Sequence, residues 1–477
     1  MAEFFRRKTI AELTDKTGPD RMNPTLSAWH LVLLGVGAIV GTGIYTLVGV
    51  GAERAGPAVI LSFVIAGLIC ICAALAYAEL ATLIPASGSA YTYSYVTMGE
   101  PVAWLVGWAL ILEYSVVCAA VAVGWSGYAT GFLSGFGIDL PLILTAGPVD
   151  GGLLNVPAIV VTALVTGMLL LGTRESANIN GFLVVAKLAA LALFIFLAFP
   201  AFDAANFQPF SPYGFSAHVD ASGANRGIMS AAAVIFFAFY GFDAVSTAAE
   251  ETKDPGRNLS IGIVGSMFAC ILIYMLVALA AVGSTPYLNF AKSPEPLSYI
   301  LKELGNPNAA VFIGAAAVVA LPTVILAFMY GQSRVFFVMA RDGLLPRRFG
   351  KLNKKTGSPV AVTIMTGIFC AAIAGILPLA TIAELANAGT LAAFIATAAG
   401  LMILRVREPN LVRPFRAPFA FVIAPAAILG CAYLFYSLPV GTQIRFFIWM
   451  GIGMIIYFLH SRNASNMTKA DSDVTVT

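Results

Sequence analysis

Long apolar stretches separated by short polar segments run through most of the chain. A helix needs about 20 apolar residues to cross the hydrocarbon core of a bilayer. An unpaired strand edge cannot face lipid, and the stretches lack the alternation of barrel strands, so helices are predicted. The spans, numbered one to twelve in chain order, are predicted at residues 28–50, 57–84, 101–133, 153–171, 180–200, 227–250, 259–283, 309–340, 358–377, 381–404, 418–438 and 442–460.

Composition also indicates an integral membrane protein. Of the 477 residues, 59% are hydrophobic and 11% are charged, whereas soluble domains are about half apolar and a quarter charged. A soluble protein with so few polar side chains could not cover its surface. We therefore predict an all-α transmembrane domain at residues 26–460, with short polar tails at residues 1–25 and 461–477.

The basic residues are unevenly distributed between alternate connecting segments. If both termini are cytoplasmic, 20 of the 27 Lys and Arg residues fall in inner segments and 5 in outer ones, with Lys187 and Arg334 inside spans. This distribution follows the positive-inside rule. It predicts a multi-pass protein of the cell membrane with both termini in the cytoplasm.

Spans one and six each contain a glycine-rich motif, GAIVGTGIY at residues 37–45 and FFAFYGFDAVS at residues 236–246. Glycine weakens a helix by about 1 kcal/mol relative to alanine. Each motif lies in the first helix of a five-helix set, as in inverted repeats that bind substrate at broken helices. We therefore predict that helices 1 and 6 are discontinuous. The alternative is that the glycines only allow close helix packing.

A break of this kind suits a zwitterion. The N-terminus of a half-helix exposes unpaired N–H groups and a positive dipole end, which attract a carboxylate. The opposite half-helix end exposes carbonyl oxygens, which accept hydrogen bonds from an ammonium group. Two such breaks can therefore bind the backbone of an amino acid without charged side chains, and the Thr42 hydroxyl adds a donor for the carboxylate.

Three charged residues are singled out deep inside predicted spans: Lys187 in span five, Glu113 in span three and Asp243 just after the glycine of span six. A lysine at the bilayer centre costs roughly 2.5–3.5 kcal/mol, so such residues usually face the interior and serve function. We predict that Lys187 gains and loses a proton and that the two acids pair with it or relay the proton. The alternative is a purely structural role. Glu79 and Glu384 lie near span ends, from which a side chain can reach the interface, so no function is assigned to them.

No cofactor is predicted, because the three histidines are scattered and GxxxxGK[ST] does not occur. An enzyme, a pump with a nucleotide site and a nucleic-acid partner are therefore not expected.

The two glycine motifs occur together with YAELATLIPASGSAYTYSY (77–95), GWALILEYSVVCAAVAVGWSGY (107–128) and GQSRVFFVMARDGLLP (331–346). This combination resembles the cationic amino acid transporter branch of the amino acid–polyamine–organocation superfamily, and the chain looks like a bacterial member of that branch. The resemblance covers residues 26–460. It implies a LeuT-type 5+5 inverted repeat in the inner membrane, with repeat one at about 28–200, repeat two at about 227–404 and two extra helices at about 418–460.

The same resemblance implies roles for individual residues. N–H groups of span one would hold the substrate carboxylate, and carbonyl groups at both breaks would accept its ammonium group. Lys187 would occupy the position of a sodium ion in sodium-coupled relatives, which implies proton coupling together with Glu113 and Asp243. Tyr240 departs from the family pattern, in which isoleucine is expected. The substrate-binding residues implied are Ile39, Gly41, Thr42, Gly43, Phe237, Ala238 and Tyr240.

The function predicted is secondary active, proton-coupled uptake of L-amino acids by a monomer that works by alternating access. The side-chain pocket would involve spans three, six and eight. Span eight, around AVVALPTVILAFMYG, offers no acid for a cationic side chain, so small or medium neutral substrates are favoured. Two alternatives stay open: a transporter or exchanger of arginine and lysine, and an amino acid sensor that does not transport.

Overall fold

The computed structural model describes residues 6–9, 26–86, 88–170, 177–249, 252–351 and 360–465. Helices account for most of these residues, and strands β1 (His218–Val219) and β2 (Asn225–Arg226) pair antiparallel in the loop before span six. Within the described ranges, eight helical stretches are long and apolar enough to cross a membrane, and four shorter apolar helices accompany them. The predicted all-α membrane fold is therefore confirmed.

Each predicted span corresponds to one of these helices or to a set of consecutive helical pieces. Their bounds are, from span one to span twelve, Ala28–Ile39 with Thr42–Tyr45 and Leu47–Ala55, Val59–Leu83, Glu100–Ser134, Val156–Leu170, Ala177–Ala198, Ile228–Ile235 with Phe236–Ala238 and Phe242–Thr247, Pro255–Ser284, Pro307–Arg341, Val360–Ile376, Leu379–Arg407, Ala420–Tyr436 and Val440–Ile456. Shorter helical pieces in the connections are Gly56–Ala58, Ser89–Thr97, Leu142–Thr145, Pro148–Asp150, Phe199–Ala201, Ala204–Phe207, Tyr287–Phe290, Pro296–Glu303, Arg347–Gly350, Tyr457–Ser461 and Arg462–Ala464.

Spans three and six form the centre of the protein. In the most apolar window of span six 94% of the residues are buried, and in that of span three 89%, against 22% in span twelve. Span three packs along spans eight and ten, and span seven packs along spans one and two. The broken helices are thus enclosed by other helices, where irregular backbone is tolerated inside a membrane protein.

The two described ends of the chain meet at the start of span three. The backbone N–H of Glu100 donates to the carbonyl oxygen of Arg6 at 2.9 Å. The Ser465 hydroxyl donates to the Glu100 carboxylate at 2.6 Å.

Two carboxylates near span ends, Glu79 and Glu384, are buried in ion pairs and do not extend to the interface. Glu384 lies 2.5 Å from the guanidinium of Arg54 and accepts a hydrogen bond from Thr442 at 3.1 Å. Glu79 lies 2.6 Å from Arg405 and 3.0 Å from Arg413. Burial of a carboxylate is costly unless a cation accompanies it, and loops and distant spans supply the arginines.

Candidate functional site

The helix of span one is interrupted between residues 39 and 42. The helix Ala28–Ile39 ends at Val40, which is extended at φ −73° and ψ 94°. Gly41 is also extended, at φ −146° and ψ −150°, and the helix resumes at Thr42. The first N–H groups of a helix have no carbonyl one turn earlier to bond, so the new start leaves donors available in the middle of the protein.

Span six is interrupted at residues 236–241. After Ile228–Ile235 the chain makes one tight turn, Phe236–Ala238, and reaches Gly241 at φ +116°. That left-handed conformation is strained for residues with a Cβ. The Gly241 N–H donates to the Asp243 carboxylate at 3.1 Å. The prediction that helices 1 and 6 are discontinuous is therefore confirmed.

The two breaks pack directly against each other. A Cβ added to Gly43 would lie 2.3 Å from the Cα of Ala238, and one added to Gly241 would lie 3.0 Å from the carbonyl carbon of Ala38. The glycines therefore have both roles that the sequence left open, because they allow the interruption and also the close approach of two backbones.

Some main-chain groups of the breaks already have partners. The Ile39 carbonyl accepts a hydrogen bond from the Tyr274 hydroxyl at 2.8 Å. The Asn387 amide donates to the carbonyls of Ala233 at 2.7 Å and Val234 at 3.2 Å. Sequence reasoning missed Asn387, although an amide inside an apolar span was the available signal. A carbonyl oxygen has two lone pairs, so Ile39 keeps one acceptor position.

Uncharged side chains surround the breaks. A Cβ on Gly41 would meet the Val324 side chain at 3.4 Å, in ordinary contact. The ring of Tyr240 lies 5.0 Å from that of Phe237 and 6.3 Å from that of Phe328, both in edge-on contact. Spans six and eight thus present aromatic and aliphatic groups beside the break in span one.

Lys187 contacts the break in span one. Its ammonium group donates to the Gly37 carbonyl at 3.1 Å and to the Thr323 hydroxyl at 3.2 Å. The Tyr45 hydroxyl donates to the Lys187 carbonyl at 3.1 Å. Lys187 is 1% exposed, so it connects spans five, one and eight inside the protein, as the prediction of an inward-facing lysine requires.

The two acids lie on spans three and six. The Asp243 carboxylate accepts hydrogen bonds from the Tyr114 hydroxyl at 2.9 Å and from the N–H of Gly241. Glu113, 1% exposed, lies within electrostatic range of Asp243. The Thr390 side chain of span ten lies beside the Glu113 carboxylate. Pairing of Lys187 with either acid is not among these contacts and stays a prediction.

All ten predicted site residues are buried, and the structure divides them into three groups. The residues predicted to bind substrate lie at the two breaks, Lys187 contacts the helix that ends at the break in span one, and the two acids lie on spans three and six. These groups share one enclosed region of the protein, at the point where both helices lose their regular hydrogen bonds.

Comparison with known proteins identifies relatives along the full chain. Residues 26–459 match the family described as amino acid permease. The branched-chain amino acid permease BcaP of Bacillus subtilis (strain 168) is 44% identical over 470 residues, 98% of this chain and 99% of that protein. The methylthioribose transporter of the same organism is 40% identical over 98% of this chain and 100% of its own length. Cationic amino acid transporter 4, vacuolar, of Arabidopsis thaliana is 36% identical over 86% of this chain and 68% of its own.

Proposed function

The chain belongs to the amino acid permease family, and from that premise we propose that it takes up small or medium-sized neutral L-amino acids together with protons. It would act by alternating access in the bacterial inner membrane, with both termini cytoplasmic. The observation that carries this proposal is the direct contact of two interrupted helices in the middle of the protein.

The breaks offer separate groups for the two charges of a zwitterion. The N–H groups of Thr42 and Gly43 begin a half-helix, so they would hold the substrate carboxylate. The carbonyls of Phe237, Ala238 and Tyr240 leave the regular ladder and would accept the ammonium group. No lysine or arginine is then needed to bind the carboxylate, which suits a site enclosed by apolar helices.

The neutral substrate class follows from the side chains beside the break. Val324, Phe328 and the Tyr240 ring are groups that favour aliphatic side chains by burial of apolar area. One relative in Bacillus subtilis is named for branched-chain amino acids, so leucine, isoleucine and valine are the first substrates to test. A cationic substrate is the second candidate, because the Asp243 carboxylate lies at the break in span six, where the Gly241 N–H donates to it at 3.1 Å.

Proton coupling is assigned to Lys187. A charged lysine makes charge-assisted hydrogen bonds, which are about twice as strong as neutral ones. With its proton, Lys187 would hold the Gly37 carbonyl and the Thr323 hydroxyl, and so span one against span eight. After loss of the proton the lysine has fewer donors and no charge. The break in span one would then be freer to move relative to span eight.

Flux measurements in proteoliposomes test the substrate class. We expect radiolabelled leucine to enter faster when the outside is acidic than when the pH is equal on both sides. Unlabelled valine and isoleucine should compete, whereas arginine should not. Competition by arginine alone would establish the cationic alternative, and competition by methylthioribose alone would remove amino acids as the substrates. Binding of leucine without flux in either condition would identify a sensor.

The coupling residue is tested by Lys187→Ala. We expect leucine flux in this variant to be the same with and without the pH gradient, because the group that exchanges the proton is gone. Lys292→Ala is the matched control, since Lys292 is an exposed lysine in a loop, and its flux should still respond to the gradient. Gradient-driven uptake by Lys187→Ala would refute the role given to this lysine.

A further inference from the structure

The loop between spans ten and eleven forms one wall of a surface cavity. The cavity has a volume of about 460 Å³. Two arginines line it, Arg405 and Arg416, together with residues at the start of span eleven, among them Phe419, Phe421 and Val422. None of these residues belongs to the breaks in spans one and six. The cavity therefore brings cationic and apolar groups together at a place that the proposed function does not use.

Two buried guanidinium groups beside the cavity share one carboxylate. Arg405 and Arg413 lie 2.6 and 3.0 Å from the Glu79 carboxylate, and their side chains are 9% and 5% exposed. Among the described residues Glu79 is the one acid within ion-pair distance of either arginine. Two positive charges against one negative charge leave this cluster with a net charge of +1. A buried charge without a counter-ion is costly, so an anion bound beside the cluster would stabilise it.

The contacts of Arg405 fix its guanidinium and leave one terminal nitrogen for a ligand. Its Nε and Nη2 donate to the two oxygens of Glu79 at 2.9 and 2.6 Å, and Nη2 also donates to the Ala417 carbonyl at 3.0 Å. The Ala417 N–H donates to Glu79 at 2.7 Å, which holds the loop in place. Nη1 makes no hydrogen bond within the described part of the chain. A donor that is already held in place loses little freedom when a ligand binds.

Arg416 and Phe419 extend the cavity from the loop to the surface of span eleven. Arg416 is exposed, and no hydrogen bond or ion pair with another described residue holds its guanidinium. Phe419 is 82% exposed and has a left-handed backbone, with φ +44° and ψ +42°. This conformation is strained for a bulky residue, and residues under such strain cluster at ligand sites. The side chains of Phe421 and Val422 are also exposed and continue the apolar surface along span eleven.

We propose that this cavity binds the headgroup of an anionic phospholipid. The phosphate accepts hydrogen bonds from Nη1 of Arg405 and from the guanidinium of Arg416, and its negative charge balances the cluster around Glu79. The acyl chains lie against Phe421 and Val422 on span eleven. Basic pockets between transmembrane helices bind anionic headgroups in this way. The inference goes beyond the proposed function and does not depend on which substrate the protein transports.

The two kinds of wall favour an anionic lipid over other occupants. A free phosphate ion would use the arginines but would leave the apolar side chains of span eleven uncovered. Phosphatidylcholine offers the same acyl chains, but its net charge is zero, so it does not balance the positive charge of the cluster around Glu79. A phospholipid with a net negative charge is the ligand that uses both the cationic and the apolar wall.

Lipid binding to the purified full chain tests the ligand class. Phosphatidylglycerol, phosphatidylcholine or inorganic phosphate is added to the delipidated protein in a non-ionic detergent, and native mass spectrometry counts the molecules bound. We expect phosphatidylglycerol to bind more tightly than phosphatidylcholine, with a preference that decreases as salt screens the charges. Equal binding of the two lipids overturns the proposal. Inorganic phosphate that binds as tightly as phosphatidylglycerol identifies an ion site and overturns the assignment to a lipid.

Arg416→Gln tests the location of the site, because it removes one donor group without a change in the contacts of Glu79. We expect its affinity for phosphatidylglycerol to fall about tenfold, which is about 1.4 kcal/mol, and its affinity for phosphatidylcholine to stay the same. Arg348→Gln is the matched control, since Arg348 is an exposed arginine outside the cavity, and it should bind both lipids as the unmodified protein does.

The unfolding temperature in detergent gives a second readout of the same variants. Without lipid it should be the same in all three proteins, because both arginines are exposed. Phosphatidylglycerol should raise it in the unmodified protein and in Arg348→Gln, and less in Arg416→Gln. If Arg416→Gln binds phosphatidylglycerol as tightly as the unmodified protein, or is stabilised by it to the same extent, the proposal is overturned.

Discussion

Replacing Gly43 by alanine tests the direct contact between the two breaks. A Cβ at this position would lie 2.3 Å from the Cα and 2.6 Å from the Cβ of Ala238. Non-bonded carbon atoms are most stable at about 3.5–4.0 Å from each other. The added Cβ would therefore lie about 1 Å too close to Ala238. Neither partner atom belongs to a flexible side chain, and relief requires one backbone to move away from the other.

The size of the effect follows from this overlap. Extra carbons in a packed core cost about 1–3 kcal/mol, which corresponds to about 5–150-fold in an equilibrium constant. Because the displaced segments carry the groups that would hold the carboxylate and the ammonium, the loss should fall on substrate affinity. Thermal stability is a poorer readout, since alanine gains about 1 kcal/mol of helix propensity over glycine.

The assay is substrate affinity, measured as the KM of uptake and as the substrate-induced shift in unfolding temperature. Gly451→Ala is the control, because nothing lies within 4 Å of the Cβ it would add; its affinity should not change. Gly41→Ala adds a methyl group 3.4 Å from Val324 and should disfavour larger substrates without loss of fold. A Gly43→Ala variant with the affinity of the unmodified protein would refute the reasoning.

Two further variants test ion pairs near the surfaces. Glu384→Gln leaves Arg54 buried without its carboxylate, which costs about 3–5 kcal/mol. This variant should therefore unfold at a lower temperature in detergent than the double variant Arg54→Met/Glu384→Leu, in which both charges are removed. The opposite order would contradict the reasoning. In the loop before span six, the Ser222 hydroxyl and the Arg226 guanidinium hold the pKa of Asp220 below its ordinary value. The ionised Asp220 carboxylate therefore stabilises the folded loop above about pH 3.9. This stabilisation is lost as the pH falls through the pKa of Asp220 in the folded state. Asp220→Asn should therefore reduce hydrogen-exchange protection of the loop at pH 7, with a difference that narrows below about pH 4.

The spans and their interruptions could be predicted because both depend on neighbouring residues. Hydropathy over about 20 residues identifies a span, and the glycines of residues 37–43 and the Gly241 position locate the breaks within two or three residues. The inward position of Lys187 followed from the cost of a charge in lipid. These properties are local, so they are visible before any tertiary contact is known.

The partners of the buried polar groups could not be predicted, because they come from distant parts of the chain. The ammonium of Lys187 bonds to a carbonyl 150 residues away, and Arg405 pairs with a glutamate 326 residues away. Carbonyl partners leave no trace in a sequence, since every residue has one. The amide of Asn387 inside an apolar span was visible, but its carbonyl partner in span six was not, for the same reason.

The contacts give each break its own ionisable group. Lys187 bonds to the carbonyl of Gly37 in span one, whereas the carboxylate of Asp243 accepts from Gly241 in span six, with Glu113 beside it. Movement of a break relative to its neighbours must change the hydrogen bonds of the group that contacts it. A change at Lys187 should therefore act on the movement of span one, and a change at Asp243 on that of span six. If Asp243→Asn abolished the response to the pH gradient, as Lys187→Ala should, the two groups would have to be treated as a single coupled site.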